Sequence, residues 1–164
     1  AVAEEAAAEI RALGLAASGL GGDVTDEARM ADIMAEAAAI HGGIDVLVNN
    51  AGLHSDEYGQ PITRMGLAKV RRLFDVNVLG VVCCTLAAHP HMQGREGASI
   101  VNISSSAAHM GGSAYGDSKL AVAGLTITFA RELARRSRPS ASEVEAVTPR
   151  PRSLRSFSPD EYGG

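Results

Sequence analysis

The sequence predicts an α/β fold of the doubly wound kind, a parallel sheet with helices on both faces. Two short runs, DVLVN at residues 45–49 and SIVNI at residues 99–103, are rich in Val, Leu and Ile and bounded by turn residues, as strands of a buried parallel sheet are. Stretches of helical period lie before, between and after them, and strands that alternate with helices assemble in parallel. No internal repeat points to a solenoid.

In chain order, residues 3–13 (AEEAAAEIRAL) are strong helix formers that begin with no cap or approach segment. The apolar stretch 15–20 is read as a candidate strand leading into Gly21-Gly22-Asp23-Val24-Thr25-Asp26. Thr25 or Asp26 caps a second helix, in which Met30, Ile33, Met34, Ala37 and Ile40 keep a 3.6-residue period until Gly42-Gly43 ends it. After the first strand, a longer helix is expected over residues 66–88, with Leu67, Val70, Phe74, Val81 and Cys84 on one face and His89-Pro90 as its stop. A Ser/Ala/Gly loop follows the second strand, and a last helix covers residues 114–135. Beyond it, residues 138–159 hold four of the six prolines with many Ser and Arg, which leaves little apolar surface to bury. The expected plan is one α/β domain over residues 1–135 and a poorly ordered tail over residues 136–164.

A chain of 164 residues, 46% hydrophobic and 21% charged, has the proportions of one soluble globular domain. A net charge of −4 and a pI near 5.7 give it no general attraction for nucleic acid or an anionic membrane. No apolar run is expected to span a membrane, and the N-terminal residues, with Glu4 and Glu5, do not make a signal peptide. Cys83 and Cys84 are neighbours in a helical pattern and point apart, so they form no ordinary disulfide and fit a reducing, cytoplasmic setting. They are read as core or subunit-contact residues, and Met30 and Met34 as core fillers. His89-Pro90-His91 has no Cys or carboxylate cluster beside it, so it is read as a helix-end loop and no metal site is expected.

Tyr115 and Lys119 stand four residues apart at the start of the last helix, so their side chains leave it on one face. An ammonium within a few ångströms of a phenol favours the ionised form, which turns an inert hydroxyl into a usable general acid and base. Taken alone, the same spacing also describes an exposed surface pair. Asn77 falls on the helix face that carries Leu67, Val70, Phe74 and Val81, and an amide turned toward a core needs hydrogen-bond partners.

Five motifs in order carry a more specific likeness. They are Asp23-Val24, Asn49-Asn50-Ala51-Gly52, Phe74-Asp75-Val76-Asn77, Val101-Asn102-Ile103-Ser104-Ser105, and Tyr115-Gly116-Asp117-Ser118-Lys119. With them the chain resembles the short-chain dehydrogenase/reductase family, closely to about residue 134 and more loosely over residues 144–149. The resemblance implies a Rossmann-like fold and hydride transfer between NAD or NADP and an alcohol/ketone pair. It implies Tyr115 as general acid and base, Ser105 as the hydroxyl that orients the substrate oxygen, and Lys119 as the group that binds the nicotinamide ribose and tunes Tyr115. Asn77 would hold a water that continues the proton relay. Asp23 and Val24 would face the adenine, Asn50, Ala51 and Gly52 the adjoining ribose side, and Tyr115 with Lys119 the nicotinamide ribose. Implied partners are a small-molecule alcohol or ketone and a second copy of the chain, paired through the two long helices to make a homo-oligomer.

The chain departs from the family pattern in three ways. The strand, TGxxxGxG turn and helix that open the family's fold are not in the sequence, so the expected fold is incomplete, lacking its first βαβ unit. The loop between Ala107 and Ser113 is a few residues short, which could draw Ser105 out of register with Tyr115 and leave Ser104 or Ser106 in its place. Arg150 stands where the family has Gly, and an Arg/Ser/Pro stretch follows. Two functions remain open on the sequence alone: an active oxidoreductase that grips its cofactor weakly, or a truncated, non-catalytic fragment that binds a partner through its helices.

Overall fold

The computed structural model describes residues 2–136. The predicted tail beyond Arg136, with residues 144–149, lies outside them.

The first helix, α1 (Val2–Ala12), turns only Ala7 fully inward. The segment after it is a correction to the sequence reading: residues 15–20 form no strand. A strand needs a neighbour to take its backbone hydrogen bonds, and among the described residues the sheet has only two members. Side chains hold this coil instead, through Arg11 Nη1 to the Ala17 carbonyl at 2.9 Å and Arg29 Nε to the Gly21 carbonyl at 2.9 Å.

Helix α2 (Glu27–His41) is capped by Asp26, whose carboxylate accepts from the Arg29 N–H, and ends at Gly42 in the left-handed region, φ 79°. Strand β1 (Val46–Asn49) follows, then two single-turn helices, α3 (Ser55–Tyr58) and α4 (Ile62–Met65). The helix expected over residues 66–88 is a compound one: α5 (Leu67–Phe74), a π turn (Asp75–Leu79), and α6 (Gly80–Met92). The Gly80 N–H reaches back five residues to the Asp75 carbonyl, and this wider turn shifts the register of inward positions. Hence Leu67 is exposed while Asn77 and Val81 are buried. Pro90 does not stop α6, which runs on to Met92; the missing N–H costs one bond to the Leu86 carbonyl, and Leu86 lies on the exposed side. Strand β2 (Ser99–Asn102), a 3₁₀ turn (Ser106–His109) and α7 (Ala114–Arg136) complete the described chain.

β1 and β2 pair in parallel, Val46 opposite Ser99 through Asn49 opposite Asn102. Leu47 is buried against Ala88 and Met92 of α6, with Met34, Ile44 and Ile100 around them. α6 and α7 pack through Val81, Val122 and Phe129. Fully burying side chains of this kind is worth about 1.5–3 kcal/mol each. The opposite face of the sheet is open among the described residues, with Val46, Val48, Val101 and Ile103 all exposed. The expectation of helices on both faces is met on one face only, as an incomplete doubly wound fold requires.

A polar chain crosses the covered face. Asn49 Nδ2 donates to Thr85 Oγ1 (3.2 Å) and to Asn102 Oδ1 (2.8 Å), and Asn102 Nδ2 donates to Thr126 Oγ1 (3.0 Å). It joins α6, both strands and α7 at the C-terminal ends of the strands, where the site lies. By length and composition the helix Leu67–Met92 is apolar enough to cross a membrane. It packs against α2, β1 and α7 and turns Asn77 and Thr85 inward, as a core helix does.

Candidate active site

Strand ends, the π turn and the first turns of α7 converge on Tyr115 and Lys119. Tyr115 is only 9% exposed; its ring belongs to a cluster with Tyr58, Met65, Leu73 and Ala114, against which Leu53, Phe74 and Ala107 pack. Lys119 Nζ lies 5.8 Å from the centre of that ring and donates to the Ile103 carbonyl at the end of β2, 2.9 Å away. Burial of its ammonium pulls the Lys119 pKa below the ordinary lysine value.

Asn77 is 1% exposed, and its amide is fully engaged. Oδ1 accepts from the Leu53 N–H at 2.7 Å, while Nδ2 donates to the Leu53 carbonyl (3.1 Å) and to Ser118 Oγ (3.2 Å). Ser118, fully buried, donates in turn to the Tyr115 carbonyl at 2.7 Å. One amide thus ties the loop after β1 to the turn of α7 that carries Tyr115. Gly52 sits against this junction: a Cβ there would meet Asn77 Oδ1 at 3.2 Å and Lys119 Nζ at 3.6 Å.

Ser105 is half-buried and extended, and its Oγ accepts from the Ala107 N–H at 3.2 Å, capping the 3₁₀ turn. That turn lies tight on α7, since a Cβ on Gly116 would stand 2.6 Å from the Ala107 carbonyl. Of the two serines considered as replacements, Ser104 donates to the Lys119 carbonyl at 2.9 Å and Ser106 is exposed.

The other predicted contact residues gather in a separate cavity of about 230 Å³, lined by Val24, Asn50 and Ala51 together with Leu20, Gly22, Met30, Ile33, Met34, Asn49 and Cys84. Asp23, next to Val24, is exposed. Its carboxylate takes the Thr25 N–H (2.9 Å) and hydroxyl (2.8 Å), and Arg72 stands 3.4 Å away. These groups, the Thr25 N–H foremost, hold its pKa below the usual carboxylate value. Val24 packs on Gly80, where a Cβ would come within 2.7 Å of it. Burial pushes the Cys84 thiol up to about 11 and raises Cys83 as well, so neither is a ready nucleophile.

Sequence reasoning gave no part to Ser118 and Thr85 and read Ser104 only as a stand-in for Ser105; hydrogen bonds to the Tyr115 carbonyl, to Asn49 and to the Lys119 carbonyl give each a place in the site. A signal existed for two of them. Ser118 continues the four-residue row of Ala114 and Val122, and Thr85 that of Val81; all five are buried.

The comparisons with known proteins bear on the fold and the family. The family described as short chain dehydrogenase matches residues 1–151. An uncharacterized oxidoreductase of Mycobacterium tuberculosis is 40% identical over 111 residues, covering 68% of this chain and 45% of that one. The cis-4-hydroxycyclohexanecarboxylate dehydrogenase of Sinomonas cyclohexanicum is 35% identical over 150 residues, covering 90% of this chain and 58% of that one. A short chain dehydrogenase from Burkholderia cenocepacia, solved in complex with NADP, superimposes with a TM-score of 0.71 at 31% identity, over 81% of this chain and 54% of that one. The chain spans about half the length of the relatives it matches. On the family match and on these relatives, the chain belongs to the short-chain dehydrogenase/reductase family.

Proposed function

We propose that the chain is the substrate-facing part of an NAD(P)-dependent oxidoreductase that interconverts an alcohol and a ketone, with Tyr115 as general acid and base. The observation that carries this is the placement of Lys119: a lysine taken out of water, its Nζ on the Ile103 carbonyl and 5.8 Å from the Tyr115 ring. Desolvating an ammonium is costly and stabilises no fold by itself; beside a phenol it has a chemical use. Relatives named as oxidoreductases do not favour the alternative of a non-catalytic partner-binding fragment.

The residues present fit a dinucleotide in part. Lys119 and Tyr115 would hold the nicotinamide ribose, and the cavity at Val24, Asn50 and Ala51, with Asp23 at its edge, would take the adenosine side. Gly52 fits a group passing close to the backbone, since a side chain there would crowd Asn77 Oδ1 and Lys119 Nζ. When bound, NAD or NADP takes up or supplies the hydride. Tyr115 gives its hydroxyl proton to the substrate oxygen in reduction and takes it back in oxidation. Ser105 orients that oxygen, Lys119 holds the nicotinamide ribose beside Tyr115, and Asn77 holds the loop and the Tyr115 turn in fixed relation.

Replacing Lys119 by Met tests the assignment. Met removes the buried charge, so stability should change by no more than about 1 kcal/mol in either direction. NADPH-dependent ketone reduction should fall by about tenfold or more with the loss of a charge-assisted hydrogen bond. Unchanged reduction by a folded variant would rule Lys119 out of the site.

We also propose a homo-oligomer and, from the free thiols Cys83 and Cys84, a reducing cytoplasmic setting. Leu79 and Leu86 on the π turn and α6, with Leu120 and Ile127 on α7, are half or more exposed. Sedimentation velocity at micromolar concentration should show dimer or larger; monomer alone would count against pairing through these helices.

A further inference from the structure

His54 lies outside every motif that carries the family resemblance, yet its ring centre is 6.1 Å from that of Tyr115, the two planes tilted by 43°. Its backbone is fixed on both sides. Leu53 before it is clamped by Asn77, and the His54 carbonyl accepts the Tyr58 N–H at 3.3 Å, with Tyr58 buried in the same cluster as Tyr115. The side chain is the reverse of its mounting, 75% exposed, with Nδ1 3.5 Å from Asp56 Oδ1. A ring so exposed contributes little to packing. A carboxylate beside Nδ1 orients an imidazole, and Nε2 can accept from a hydroxyl when the ring is neutral or donate to a carboxylate when it is protonated.

We propose that His54 is a specificity-determining residue that hydrogen-bonds a second oxygen-bearing group of the substrate, several bonds from the carbon that reacts at Tyr115. The inference rests on Tyr115 being the proton-exchanging residue. On that reading a substrate whose reacting oxygen meets the Tyr115 hydroxyl has the His54 ring close by, its centre 6.1 Å from that of Tyr115. Alcohols and ketones with a second hydroxyl or a carboxylate are then bound in preference to their unsubstituted analogues.

The test uses the full 164-residue chain with labelled tyrosine rings and millimolar NADP, the Tyr115 signal being assigned from Tyr115→Phe. Cyclohexanone, 4-hydroxycyclohexanone and 4-oxocyclohexanecarboxylate are titrated in turn. At least one 4-substituted ketone should bind about tenfold more tightly than cyclohexanone, the effect of one hydrogen bond to a charged or well-placed group. That preference should shrink to within about twofold in His54→Ala, whose denaturation midpoint should match that of the parent. His54→Gln distinguishes the two chemistries, because it keeps a preference for the hydroxyl and weakens one for the carboxylate, which loses a charged partner. Equal binding of all three ketones by the parent, or an undiminished preference in His54→Ala, overturns the inference while leaving Tyr115 in its role. If no ketone moves the Tyr115 signal, the reading of Tyr115 fails and takes the inference with it.

Discussion

Replacement of Tyr115 by Phe is expected to leave the fold intact and to lower turnover by about 10²–10⁴-fold, the usual cost of losing a general acid and base. The ring is what the core uses: it is 9% exposed and packed among Tyr58, Met65, Leu73 and Ala114. Phe supplies the same ring to the same neighbours. In the proposed mechanism the hydroxyl is what the chemistry uses, since it combines a transferable proton with a neighbouring buried ammonium. The measurement is NADPH oxidation at saturating ketone, with circular dichroism as the control for folding. A Tyr115→Phe protein that turned over like the parent would remove Tyr115 from the mechanism.

Replacement of Asn77 by Leu is expected to have the largest effect on stability, about 3–5 kcal/mol, through groups left without partners. Leu keeps the branched shape of Asn and leaves no large cavity, but its methyl groups cannot approach as closely as the amide atoms, so some overpacking adds to the loss. The loss falls on the Leu53 N–H and carbonyl and on the Ser118 hydroxyl, which hold the Asn77 amide at 2.7, 3.1 and 3.2 Å. Urea denaturation should show the shift, and the loop after β1 should become more open to hydrogen exchange as its tie to α7 is cut. A variant within about 1 kcal/mol of the parent would mean that water or neighbouring groups replace the amide readily.

What the sequence showed and what it concealed divide along physical lines. β1, β2, α2 and α7 were legible because each combines an apolar pattern of the right period with a bounding cap or turn: Asp26 and Gly42 around α2, the run of Val and Leu in β1. Asn77 was legible as inward-facing, although the argument placed it in a regular helix with Leu67 on the same face. The π turn over Asp75–Leu79 shifts the helix register, so Leu67 is exposed and Asn77 buried. No periodicity count sees such a turn in advance. The coil at residues 15–20 was misread because apolar composition marks what a strand contains and not whether a neighbour exists to pair with it. Pro90 was misread because a proline late in a helix costs one bond on an exposed side, less than the burial of Met92 that follows it. The Asn49–Thr85–Asn102–Thr126 chain was hidden, since polar residues far apart in sequence give no sign that they will satisfy one another. His54 became visible only when the loop after β1 and the first turn of α7 came together in space.

The central claim is that Lys119, Tyr115 and the loop from Asn50 to Gly52 form one cofactor-facing site on this chain. Calorimetric titration of the 164-residue protein with NADH and NADPH tests it most directly, with Lys119→Met run alongside. The described residues offer no glycine-rich turn opening a helix for the pyrophosphate, and each charge-assisted hydrogen bond forgone is worth roughly 1.5–3 kcal/mol. Expected is weak binding, with a dissociation constant of about 0.1 mM or higher, weakened a further tenfold or so in Lys119→Met. A low-micromolar constant would show that the phosphates are gripped from elsewhere, and equal binding by the parent and Lys119→Met would show that the nicotinamide end does not rest on this site.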